Sequence, residues 1–188
     1  MNFCASSGRA PIAAITPEID IAALYDAHAD YLLRVVHRLT GSPDVAEDVV
    51  QEVFLLAYHR RTELEDRTGI RTWLYRSAVN LVRHRRRSYV RYQGLLGRFE
   101  AHEDGAEREG GPHEAAARAQ RGRLVHECVA ELSDKLREVF VLYELEELEG
   151  NEIAAILDLP INTIWSRLRL ARAAFREEWT RRAERSST

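Results

Sequence analysis

Lysine is nearly absent: it occurs once, at Lys135, so almost all positive charge in this 188-residue chain is arginine. Cysteine occurs twice, at Cys4 and Cys128, far apart and with no second cysteine or histidine at metal-ligand spacing. That pattern excludes a disulfide framework and a zinc site. His126 and Cys128 are two apart, and such residues do not share a helix face. Cys128 therefore reads as a small core residue, and a reducing compartment is expected. No apolar run approaches the ~18–20 residues that cross a bilayer, so no membrane insertion is expected. Residues 1–16 lack the basic start and long apolar core of a secretory signal and read as a flexible tail. A Ser/His/Asp set and a glycine phosphate loop are also missing, so neither an enzyme nor a cofactor is expected.

What remains is ordinary globular composition, 45% hydrophobic and 30% charged, with room for one domain or two small ones. The net charge of −3 hides segregation. Arg83, Arg85, Arg86, Arg87 and Arg91 form a run without an acid, whereas Glu100, Glu103, Asp104, Glu107, Glu109 and Glu114 follow with only Arg108 among them. Local fields, not the net value, steer a polyanion.

The basic run ends a helix that starts at residue 70. Ile70, Trp73, Leu74, Ala78, Leu81 and Val82 recur at helical spacing as one apolar stripe, and Thr72, Tyr75, Arg76, Asn80 and Arg83 lie off it. One buried face and one face of guanidinium, amide and aromatic groups suit a nucleic-acid contact. A surface helix with a solvated basic end has the same pattern.

Two helices precede it. Residues 19–39 carry Leu24, Leu32, Val35, Val36 and Leu39 on one face and stop at Thr40-Gly41, where glycine suits a left-handed cap. Ser42 as N-cap and Pro43 at the first position start the second, which runs to about residue 61. Its acids Asp44, Glu47 and Asp48 complement the positive end of the helix dipole. Residues 62–69 form a polar loop with a lone Leu64, either tucked onto the core or available to a ligand.

Gly94, Gly97, Gly105, Gly110, Gly111 and Pro112 break the periodicity of an acidic segment, which reads as a flexible linker. Helical pattern returns near residue 115, and Ser133-Asp134 opens another helix. Residues 150–172 read as helix, tight turn, helix, with Leu159-Pro160 at the turn. Ile153, Ala154 and Leu157 face Ile164, Leu168, Ala171 and Phe175. Asn162, Thr163, Trp165, Ser166, Arg167 and Arg169 are left near the exposed N-terminal half of the second helix. A DNA-binding helix-turn-helix places that half in the major groove, though an unrelated helical hairpin has similar spacing.

The expected fold is all-α: two small helical domains joined by a flexible linker. The divisions are a tail (1–18), a three-helix domain (19–91), the linker (92–114), a helix-turn-helix domain (115–182) and a C-terminal tail (183–188).

The motifs DVAEDVVQEVFLLAY (44–58) and TWLYRSAVN (72–80) resemble region 2 of bacterial sigma factors of the small extracytoplasmic-function (ECF) type. LSDKLREVF (132–140), NEIAAILDLP (151–160) and TIWSRLRLAR (163–172) are similar to region 4. The order fits, with no region 1.1 or region 3. The resemblance implies a cytoplasmic promoter-specificity subunit that binds core RNA polymerase, through its β and β′ subunits, and promoter DNA. Asp48, Gln51, Glu52, Phe54 and Leu55 would dock on the β′ clamp coiled coil. The loop at Leu64 would take a base flipped from the −10 non-template strand. Arg76, Asn80 and Arg83 would hold that strand, with Tyr75 stacking and Arg86 following the backbone. Asn162, Thr163, Trp165, Ser166, Arg167 and Arg169 would read the −35 duplex. The acidic linker would mimic RNA near its exit path. An anti-sigma partner is expected.

The chain departs from relatives where they carry basic residues, at Trp165 and Leu170, and at Leu64, where they carry a bulkier side chain. A stand-alone helix-turn-helix regulator would bind duplex tightly without polymerase, but the first helical half shows no evident ligand pocket. An enzyme would have Glu47, Asp48 and scattered histidines to work with, and no constellation assembles them.

Overall fold

In the computed structural model residues 19–61, 64, 69–96 and 112–186 are described, and among them are seven α-helices and no strand. The all-α fold in two helical units is as the sequence predicts. Helix α1 (Ile21–Thr40) starts where Asp20 Oδ1 accepts from the backbone N–H groups of Ala22 and Ala23, at 3.0 and 3.2 Å. It ends at Gly41, whose φ of 78° is left-handed and whose N–H donates to the His37 carbonyl. Helix α2 (Pro43–His59) follows, with Ser42 Oγ accepting from Val45 N–H at 3.4 Å. Helix α3 (Ile70–Leu96) completes the first unit around Leu32, Val35, Val36, Val49, Val53, Leu74 and Ala78, all almost wholly buried. Burying such aliphatic side chains contributes about 1.5–3 kcal/mol each for the larger ones.

The second unit contains α4 (Pro112–Ala130), α5 (Asp134–Phe140), a π-helical turn (Val141–Leu145), α6 (Gly150–Leu157) and α7 (Ile161–Ser186). Cys128, Val139, Leu142, Ile153, Ile164, Leu168 and Ala171 are buried in it, so Cys128 is a core residue as read. Arg137, 6% exposed, is the unexpected core member. Its guanidinium donates to the carbonyls of Val129 at 2.9 Å and Leu132 at 2.7 Å, and to that of Ala130. It thereby satisfies acceptors left open at the C-terminal end of α4. Burial pulls its pKa down to about 10, with Arg86 acting in the same sense, so it stays charged at neutral pH.

Three boundaries shift. Helix α3 runs beyond the basic stretch expected to end it and continues through Gly94 into the expected linker, since one glycine costs a helix only about 1 kcal/mol. Helix α4 begins at Pro112, and α7 reaches Ser186 where a tail was expected from residue 183. The rest of the predicted linker (97–111), the N-terminal tail (1–18) and most of the 62–69 loop lie outside the described residues.

The two units pack on each other: α3 meets α6, and α1 meets the π-helical turn and α4. Their buried residues form one continuous apolar cluster. Helix α3 is consequently covered on two sides, by α1 and α2 and by α6.

Candidate nucleic-acid interface

The second covering layer changes the α3 face. Tyr75, read from the sequence as an exposed stacking residue, is 3% exposed, which corrects that placement. Its ring meets Tyr31 edge-on at 5.4 Å, and Arg71 lies over both rings. The Tyr31 hydroxyl in turn donates to the Glu146 carbonyl of the second unit at 3.1 Å. A single-stripe reading assumes one packed face, and α3 has two. Asn80 remains exposed.

The arginines of this face reach the second unit. Arg83 makes a two-pronged pair with Glu138, at 2.7 and 2.6 Å. The hydrogen bonds to Glu138 outweigh burial and push the Arg83 pKa up. Arg86 pairs with Asp134, one turn back on α5. Arg76 Nε donates to the Ala155 carbonyl at 3.2 Å, and its guanidinium lies 3.9 Å from Asp158. Arg71 lies 3.9 Å from Glu152. Leu64, part-buried, packs against the core, and its N–H donates to the Arg60 carbonyl at 3.2 Å.

On α2, Gln51 is exposed and Leu55 is 59% exposed. Asp48 and Glu52 share Arg85, each at 3.1 Å, a pairing made across 33–37 residues of sequence. Phe54 departs from the expected docking face: it is 6% exposed and lies 4.8 Å from the Tyr25 ring. It lies with Val50, Val53 and Ala57 on the packed face of α2.

The helix-turn-helix forms as the sequence predicts. Asp158 takes a left-handed φ of 55°, Leu159 N–H donates to Ala154, and Pro160 accepts from Thr163 N–H at 2.8 Å. On α7, Asn162, Trp165, Ser166 and Arg169 are exposed, while Thr163 and Arg167 are half-buried. Ser166 Oγ donates to the Asn162 carbonyl. Trp165, 43% exposed, lies edge-on to Tyr143 at 5.7 Å and against Gly150. A Cβ on Gly150 would come within 2.5 Å of two atoms of the indole, so glycine there is what lets the ring sit down.

Sequence reasoning missed Glu138, Asp134 and Glu146 as partners of the α3 and α1 arginines. It also missed the stacked His37–His126 pair between α1 and α4, with ring centroids 5.5 Å apart. Nothing local signals contacts between residues 48 to 108 positions apart; only the matching spacing of Arg83/Arg86 with Asp134/Glu138 could have hinted at them. No group of residues suited to a metal occurs among the described residues, and no described helix is long and apolar enough to cross a membrane.

Comparison with known proteins agrees with both halves. Residues 24–92 match the family Sigma-70 region 2, and residues 122–175 match Sigma-70, region 4. The chain is 34% identical to the ECF RNA polymerase sigma factor SigL of Mycobacterium tuberculosis, over 82% of this chain and 85% of that one. It is 29% identical to SigW of Bacillus subtilis, over 84% and 87%, and 34% identical to the sigma-E factor of Escherichia coli, over 74% and 76%. Among solved structures, the sigma factor RpoE from Bartonella quintana, in complex with the anti-sigma factor NepR, shares the fold at a TM-score of 0.69 and 22% identity, covering 86% of this chain and 97% of that one. CnrH, in complex with the cytosolic domain of CnrY, aligns at 0.60 and 26% identity, over 84% and 85%. The chain belongs to the ECF sigma factors of RNA polymerase.

Proposed function

We propose that this chain binds core RNA polymerase in the cytoplasm and directs initiation at a restricted promoter set, with no catalytic step of its own. The observation that carries the reading is the co-occurrence, in order, of a region 2 unit with an arginine and amide face on α3 and a region 4 helix-turn-helix. Asn80, Arg76 and Arg83 hold the melted −10 strand, and Arg86 follows its backbone. Leu64 borders the site of the flipped base. Exposed Asn162, Trp165, Ser166 and Arg169, with Thr163 and Arg167, meet the −35 duplex. Trp165 brings an apolar edge suited to a thymine methyl group. Asp48, Gln51, Glu52 and Leu55 form the polymerase-docking face of α2. An anti-sigma factor holds the chain inactive, a reading supported by the anti-sigma factor NepR named with the similar sigma factor RpoE.

The test is co-purification with core polymerase beside an unrelated sigma factor as positive control. Retention at comparable salt supports the proposal. Failure to bind where the control binds contradicts it.

A further inference from the structure

From the contacts between the two units we infer that the acidic edge of region 4 is a docking surface for the α3 arginines, competing with the −10 strand for the same side chains. The inference deepens the function proposed above and rests on its assignment of the α3 face to DNA.

Three of the arginines assigned to the −10 strand, Arg76, Arg83 and Arg86, each contact region 4. The spacing matches: Asp134 and Glu138 are four residues apart on α5, and Arg86 and Arg83 three apart on α3, so each pair occupies one helix face. The Glu138 carboxylate receives the Arg83 guanidinium through two parallel hydrogen bonds, 2.7 and 2.6 Å, the geometry by which arginine also takes a phosphate. Glu138 is 6% exposed, so this is a desolvated contact and not a solvated surface pair. Arg76 meets the Ala155 carbonyl and lies near Asp158, at the C-terminal end of α6, where oxygen acceptors concentrate. The acids thus occupy positions that phosphates would take, and their charge repels a strand brought close. At the other edge, Arg38 pairs with Glu146 at 2.6 Å and helps keep the units together.

Free in solution, the chain is held closed, and its affinity for a −10 strand is reduced by the fraction of closed molecules. The acids that close it lie on α5, and α5 takes no part in the DNA contacts proposed above.

The experiment uses the full chain with donor and acceptor dyes at Asp30→Cys and Ala173→Cys, both exposed positions, in a Cys4→Ser background; Cys128 is buried. Wild type is compared with the double variant Asp134→Asn, Glu138→Gln. A fluorescent single-stranded oligonucleotide carrying the −10 non-template sequence of a promoter mapped by transcription in vitro with this chain reports DNA binding. The expected result is lower energy transfer in the variant and oligonucleotide affinity raised about tenfold or more, as release of two charge-assisted contacts allows. Far-ultraviolet circular dichroism checks that the variant is helical. The charge swap Arg83→Glu with Glu138→Arg should restore high energy transfer, which a misfolded chain would not do. Equal affinity in wild type and variant, with binding weakened by Arg76→Gln in both, overturns the competition but leaves the −10 assignment standing. Binding that ignores Arg76→Gln, in the opened variant as in wild type, overturns the −10 assignment and the inference with it.

Discussion

Gly150 lies under Trp165, and its replacement by alanine sets two opposed effects against each other. Alanine in a helix is favoured over glycine by up to about 1 kcal/mol. The new Cβ would stand 2.5 Å from two indole atoms of Trp165, closer than packed atoms approach, and 3.1 Å from Ile161 Cδ1, a tight contact. Overpacking costs about 1–3 kcal/mol, and Trp165, already 43% exposed, relieves it by swinging outward. That movement forfeits the edge contact with Tyr143, another ~0.5–1.5 kcal/mol. The unfavourable effects win, and Gly150→Ala should destabilise the chain by about 1–2 kcal/mol. With Trp165→Ala present the indole clash is gone and only the 3.1 Å approach to the end of the flexible Ile161 side chain remains, so the same substitution should become neutral or stabilising by up to about 1 kcal/mol. A double-mutant cycle by urea denaturation should therefore give a coupling of about 2 kcal/mol. Gly150→Ala should also weaken binding to −35 duplex, because the displaced indole no longer presents the same edge. Identical effects of Gly150→Ala in both backgrounds would refute the reasoning.

Replacing both Arg76 and Asn80 with alanine should lower open-complex formation about 10–100-fold, read by permanganate reactivity of the −10 thymines, while core polymerase retention is unchanged. Arg137→Met removes a charged donor from three carbonyls, worth about 1.5–3 kcal/mol each, offset by about 3 kcal/mol of guanidinium burial no longer incurred; a net loss of about 3 kcal/mol should appear in thermal unfolding as a midpoint lowered by about 6–12 °C, with little pH dependence between pH 6 and 9. Burial, with His126 and Arg38 beside it, holds the His37 pKa below 6.5, so the closed arrangement favours the neutral ring and acidification from about pH 6.5 downward should open it, lowering interdomain energy transfer unless His37 is replaced by glutamine. Glu146, pushed above 4.5 by burial, acts in the opposite sense at lower pH, so the comparison belongs between pH 7.5 and 6.

The elements that sequence predicted well are those with local causes. Ser42 with Pro43, Gly41, and the turn at Leu159-Pro160 each satisfy backbone groups within a few residues, so their meaning is written next to them. The apolar stripes of α1 and α2 bury as their periodicity dictates. Helix α3 was harder, because its Tyr75 and Val79 are covered from a second side by packing that no local spacing encodes. Phe54 was assigned outward by analogy with a docking face, whereas its ring fills space beside Tyr25. Arg137 is buried because the end of α4 supplies three carbonyls for its guanidinium, a contact that no local spacing encodes. The π-helical turn at Val141–Leu145 has no sequence signature among these residues, yet it brings Leu145 and Glu146 within reach of Arg38. Candidate DNA residues were legible as types and faces; the partners that occupy them in the closed chain were not.

Promoter-specific initiation is measured by transcription in vitro with core polymerase, this chain and fragmented genomic DNA, with start sites mapped. A limited set of starts is expected, sharing −10 and −35 elements at fixed spacing and vanishing when the chain is omitted. Starts that are unchanged by the chain, or that share no such elements, would contradict promoter-specific initiation.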